Sequence, residues 1–187
     1  MTVAPPRTPT SSGRSGRRWD EVMAEHREAL AGFLETASAL PAEAWDQPWG
    51  PGKWTRAQVA EHLSLSYEAV IRELETGEAM ALKLTPWRRT LTRWLLLPHI
   101  LFHRSFPIRA PSPREIRPRD PRAPRAEALR QLRELGGRFE ETMERAVQAG
   151  GGSVTHPFFG RVPPLKVVRF MGVHLEHHGR QIARGGK

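Results

Sequence analysis

Apolar residues recur at steps of three and four in four separate stretches of this chain, and that spacing predicts four amphipathic helices. The first runs from Trp19 to Leu40, with a stripe of Trp19, Val22, His26, Leu30, Phe33, Leu34, Ala37 and Leu40 and a stop at Pro41. Thr55 opens the second, because T-R-A-Q places Gln58 where a capping box needs it. Its inward face is Val59, His62, Leu63, Ser66, Val70 and Leu74, and Gly77 ends it. The third, Arg125 to Ala149, carries Leu129, Leu132, Leu135, Phe139, Met143 and Val147, with Gly136 and Gly137 as points of kinking or close packing. The fourth, Val167 to Ile182, begins apolar and then presents His174 and His178 on the same face.

The intervals between these helices show no convincing strand. Pro41 to Trp54 holds three Trp in a Pro/Gly-rich stretch, which suits a loop pinned by aromatic packing rather than an aromatic cage. Ser153 to Pro164 reads as a loop whose last two prolines stiffen the start of the final helix. Four long stripes are buried most simply in an all-α four-helix bundle, with an insert at about 79–124 between the second and third main helices.

The charge sharpens that division. The formal net charge is +9, but residues 1–18 carry four Arg and no acid. Lys83 to Arg125 holds eleven Lys and Arg against Glu115 and Asp120. The remainder is mildly acidic. The expectation is a disordered basic arm over 1–18 and a bundle over 19–184. In the insert, Pro86 can open a helix that Pro98 kinks or ends, and Pro107 to Pro124 reads as an extended surface excursion. A packed side element followed by a solvated loop is the favoured reading, ahead of a membrane-surface helix or a phosphate-binding patch.

The composition excludes several chemistries. With no cysteine, the chain has no disulfide framework, Cys nucleophile, Fe–S ligand or thiolate zinc site, and this suits a cytoplasmic setting. Its longest apolar run, near Trp94 to Phe102, is too short for an integral membrane segment. What remains is imidazole. His174 and His178 lie one helical turn apart, a pair that can hold one metal ion but needs a third ligand. His26 and His62 both fall on apolar faces, where a buried structural histidine is the commoner case. If the second and fourth helices are neighbours, however, His62 can meet His174 and His178 near one end of the bundle. Three neutral imidazoles favour a divalent ion such as Zn, Ni or Fe and leave open positions for substrate.

Three motifs in this order carry a resemblance: G-K-W-T-R-A-Q-V-A-E-H-L at Gly52 to Leu63, H-P-F-F-G at His156 to Gly160, and H-L-E-H-H-G-R-Q-I at His174 to Ile182. Together they resemble the DinB-like (DinB/YfiT-like) superfamily of four-helix-bundle metalloenzymes, over about two thirds of the chain. The resemblance implies metal ligands at His62, His174 and His178, with His177, Gln181 and His156 as supporting residues around them. It implies a metal-dependent transferase or hydrolase acting on a small-molecule substrate, most plausibly by thiol-dependent S-transfer with a low-molecular-weight thiol as cosubstrate, or by hydrolysis. A homodimer is implied more weakly. Glu61 precedes the first ligand but lies off its face and ranks low. The rival reading is a non-enzymatic helical module whose basic insert contacts anionic lipid, nucleic acid or a protein partner. The sequence has no zinc-finger spacing, recognition-helix pattern or RNA-binding aromatic signature, which weighs against nucleic acid.

Overall fold

The computed structural model describes residues 11–107, 112–119 and 123–184. Among the described residues there are five α-helices: α1 (Ser11–Ser38), α2 (Arg56–Thr76), α3 (Pro86–His103), α4 (Arg125–Gln148) and α5 (Pro164–Ile182). Four of them are the stripes of the bundle. The most extensive helix pairings are α1 along α5 and α2 along α4, and α1 also touches α4. Their inward residues form one core that includes Phe33, Leu63, Tyr67, Leu132, Phe139, Met143, Val168 and Leu175. Burial of these side chains at about 25 cal/mol per Å² of apolar surface is the main force holding the bundle together.

Local signals set the ends of α2. The Thr55 hydroxyl accepts from the Gln58 amide at 3.1 Å, and the Thr55 amide donates to Gln58 Oε1 at 2.9 Å. At the far end Gly77 adopts φ 80°, the left-handed turn that a side chain resists. In α4 the two glycines do not break the helix. A Cβ on Gly136 would sit 2.4 Å from Leu30 Cδ2, so this glycine lets α1 approach α4, whereas Gly137 faces open space.

The elements differ from the sequence expectation in four places. Helix α1 already includes Ser11, ahead of Trp19, and no proline falls between Ser11 and Ser38 to interrupt it. The expected disordered arm thus overlaps α1 over 11–18, and residues 1–10 lie outside the described residues. Second, 153–164 is not all loop. Strands β1 (Val154–His156) and β2 (Gly160–Val162) pair antiparallel, Val154 opposite Val162 and His156 opposite Gly160. Three-residue strands are too short to leave a period in the sequence.

Third, α3 runs through Pro98 to His103. Pro98 is exposed, so the Trp94 carbonyl that loses its helical partner lies on the side where water can replace it. Helix α3 packs on α5 and β2. The Thr92 hydroxyl donates to the Phe158 carbonyl at 2.6 Å, and Lys83 N–H donates to the Pro157 carbonyl at 2.9 Å. Fourth, the described part of the Pro-rich excursion is not simply solvated. Ile116 is buried in a small cluster with Ala69 and Met80. The strap at 112–119 is fastened to α2: Gln58 Nε2 donates to the Arg119 carbonyl at 3.2 Å, and Arg119 N–H donates to Glu61 Oε2 at 3.1 Å.

Candidate metal centre

Helices α2 and α5 approach at one end of the bundle, and a buried arginine holds them there. Arg56, at the first position of α2, is 1% exposed. Its guanidinium donates to the Ile182 carbonyl at 3.1 Å and to those of Ala44, Gln47 and Arg184 at 3.2 Å each. A cation in the first turn of its own helix opposes the macrodipole, but here it sits at the carbonyl end of α5, where the dipole favours it. Arg56 therefore ties the start of α2 and the preceding loop to the end of α5. In the sequence its only signal was a basic residue where helices usually place an acidic one.

With those ends joined, His62 from α2 meets His174 and His178 from α5. His62 Nε2 is 3.1 Å from His174 Nε2, and His178 Nε2 is 3.0 Å from the same atom. The three residues each offer a nitrogen within 4.8 Å of the other two, a set that could hold one metal ion. Zn–N bonds of 2.0–2.1 Å in a tetrahedral site put ligand nitrogens about 3.3 Å apart, close to the two spacings seen.

The outer nitrogens decide the tautomers. His62 Nδ1 donates to the Ile116 carbonyl at 2.7 Å, so the fastened strap reaches the site. His178 Nδ1 donates to Gln181 Oε1 at 2.8 Å, and the Gln181 amide in turn donates to His177 Nε2 at 2.7 Å. Both His62 and His178 thus carry their proton on Nδ1 and present an Nε2 lone pair to the centre. His174 Nδ1 is buried with no partner among the described residues. One proton on His174 Nε2 cannot fully serve two lone pairs, so the Nε2 side of the cluster is under-satisfied. A cation shared by the three Nε2 atoms would serve all three lone pairs, with the His174 proton on Nδ1, and hydrogen bonds that orient ligand histidines are the usual companions of such a cation.

Electrostatics point the same way. Burial lowers the affinity of His62 for a proton, against a smaller opposing effect of its bond to Ile116. Burial, and then the neighbouring imidazoles, push His174 well below the ordinary histidine range, and His178 likewise. The imidazoles are neutral near pH 7, with their lone pairs available.

The remaining residues divide. His177 bonds to Gln181 and packs edge-on against Phe106, and burial followed by Arg180 and Arg184 lowers it to about 4. His156 stacks on Phe159 at 4.4 Å, and its Nδ1 accepts from Phe158 N–H at 3.2 Å, leaving the proton on Nε2. Burial lowers it to about 3. Glu61 is occupied by the strap and not by the cluster. Beside the imidazoles lies a cavity of about 740 Å³, lined mainly by apolar side chains. Trp49, Trp54, Phe106, Phe158 and Phe170 are among them, and Lys53 and Arg184 also line it. Among the described residues no Asp or Glu lines it. Trp54 also packs on the His62 ring at 5.0 Å, while Trp45 is buried in the core. The Trp-rich loop is therefore pinned to the bundle and also walls the cavity. No helix among the described residues is long and apolar enough to cross a membrane.

Comparison with known proteins agrees with this picture. The DinB superfamily profile matches residues 23–182. A solved structure similar to this one is described as "YfiT from Bacillus subtilis is a probable metal-dependent hydrolase with an unusual four-helix bundle topology". It aligns with a TM-score of 0.54 at 17% identity, covering 96% of this chain and 89% of the other. At that identity the likeness speaks for the fold. No curated protein matches the chain. The chain belongs to the DinB superfamily.

Proposed function

From this membership and the geometry of the cluster, we propose that the protein is a divalent-metal-dependent enzyme acting on a small molecule. His62, His174 and His178 hold one ion of the Zn, Ni or Fe type. The observation that carries the reading is the convergence of three Nε2 atoms while two of the Nδ1 atoms are tied outward. When bound, the ion supplies Lewis acidity toward a water or thiol and toward an oxygen of the substrate.

The chain's own residues supply the rest. Gln181 and the Ile116 carbonyl fix the ring orientations of two ligands. The aromatic walls exclude water and take an apolar substrate body. Because the ligands are neutral and no carboxylate among the described residues lines the cavity, an ion there would keep its full charge and favour an anionic nucleophile or substrate group. The reaction is thiol-dependent S-transfer or hydrolysis. For either, His156 with its Nε2 proton can donate to the substrate, and the absence of cysteine is no obstacle when the thiol is a cosubstrate.

Metal analysis of protein purified from metal-replete cells tests the proposal. About one divalent ion per chain is expected, with His62→Ala, His174→Ala and His178→Ala each losing it. Metal-free protein that is fully folded and stays metal-free on titration with Zn, Ni and Fe would falsify it. Assays of electrophiles with and without added low-molecular-weight thiols then separate transfer from hydrolysis.

A further inference from the structure

Among the described residues the large hydrophobic side chains that stand exposed are Leu82, Trp87, Leu91, Trp94, Leu95 and Phe102, and all belong to α3 and the segment leading into it. Trp94 is 72% exposed and Phe102 81%. At 100° per residue, Trp87, Leu91, Trp94, Leu95, Pro98 and Phe102 fall within an arc of about 100°. This arc borders the face that α3 buries through Leu97, Ile100 and Leu101. The apolar surface of the helix is therefore wider than the part the bundle uses. A contiguous apolar surface of this kind marks an interaction site.

The charge around the arc identifies its partner. Residues 79–107 contain Lys83, Arg88, Arg89, Arg93 and Arg104 and no acidic residue. Arg104 is engaged by Glu176 and Glu25. The Arg88 guanidinium lies 5.2 Å over the Trp87 ring, at one edge of the arc. Arg88 falls about 20° beyond Leu95, at the border of the arc. A second copy docked through the same face would cover Arg88 with no carboxylate on either helix to meet it. Nucleic acid would gain the charge but would leave Leu91, Leu95 and Phe102 against a polar backbone. An anionic bilayer accepts both parts: tryptophans and leucines enter the headgroup–acyl boundary, and Arg88 extends to the phosphates.

We propose that the outer face of α3 docks this protein on an anionic lipid surface. The helix lies in the plane of the interface and does not span it. Its other edge, through Thr92, Leu96 and Ile100, forms part of the cavity wall, so the docking element and the proposed active site share one helix.

Sedimentation with vesicles of equimolar phosphatidylglycerol and phosphatidylcholine tests this on the full chain, against vesicles of phosphatidylcholine alone. Binding to the anionic vesicles is expected, weakened by salt. Trp94→Glu with Leu95→Glu should reduce it by about tenfold or more, and Arg88→Glu should reduce it severalfold. These residues are exposed, so the circular dichroism and metal content of the variants should match the parent. Because the chain has no cysteine, Leu95→Cys carrying an environment-sensitive dye reports insertion directly. Its emission should shift to the blue on anionic vesicles, while the same dye at Gln131→Cys on α4 should not shift. No binding to anionic vesicles overturns the proposal. So does binding that is indifferent to the Glu substitutions at 94 and 95. Conversion of a dimer to a monomer by those substitutions assigns the face to a second copy, and tighter binding to duplex DNA than to vesicles assigns it to nucleic acid; either overturns the proposal.

Discussion

Two groups of buried histidine stand in the same bundle, and only one is finished by the protein. His26, from α1, has both ring nitrogens paired: Nδ1 with Glu140 at 2.8 Å and Nε2 with the Tyr67 hydroxyl at 2.7 Å. Phe139 packs against it at 5.1 Å, and Arg27 completes the Glu140 carboxylate at 2.7 Å. This network links α1, α2 and α4 and has nothing left to bind. At the α2–α5 end, three Nε2 atoms face one another and His174 Nδ1 has no partner. Burial alone therefore does not distinguish a structural histidine from a ligand. The count of satisfied nitrogens does, because a buried polar group left unpaired costs about 1–3 kcal/mol unless something else takes the place of the missing partner.

Substitutions at the two groups should separate cleanly. The largest effect is expected from His174→Ala, which removes the nitrogen nearest the other two and should abolish metal binding; spectroscopic titration with Co²⁺ reads this directly. His26→Ala should instead cost about 3 kcal/mol of folding stability by opening a cavity and stranding Tyr67 and Glu140, with metal stoichiometry unchanged. Denaturant melts check the first part, and loss of metal in that variant would erase the contrast. Gln181→Leu should weaken metal binding by about ten- to a hundredfold, because His178 loses the acceptor that fixes its tautomer, while the melt shifts little.

The smallest effect expected is one of pH. Burial tends to raise the Glu140 carboxyl, but hydrogen bonds from His26 and Arg27 outweigh it and hold the group below the ordinary range. A depressed folded pKa contributes stability that is full above the unfolded value, about 4.3 for Glu. That stability is lost as the pH falls through the lower folded value. Parent protein should therefore lose stability more steeply than Glu140→Gln on acidification below about pH 4.3. Parallel melting curves for the two across that range would remove Glu140 from the account.

The insert shows where reading by pattern stops. Its helix was legible from Pro86 and from the apolar residues between the arginines, but its length beyond Pro98 was not. A helix tolerates an internal proline more readily when the carbonyl it orphans can reach water, and exposure is a tertiary property. Which apolar residues of α3 are buried and which exposed was equally hidden, since Leu91 and Ile100 are alike as residue types. Likewise the Ile116 carbonyl left no trace in the sequence as a partner of His62, because any residue has a carbonyl and only the path of the strap delivers this one.

Residue spacing by itself determined the four stripes, the capped start of α2 at Thr55, and the candidates His62, His174 and His178, because helical periodicity is local and side chains at steps of three or four share a face whatever surrounds them. The tertiary structure decided that these imidazoles meet, that Arg56 joins the ends of α2 and α5, and that His26 is satisfied while His174 is not. Those outcomes depend on hydrogen-bond partners 41 to 128 residues away along the chain. No local pattern encodes such a pairing, and only the packed bundle brings the partners within reach.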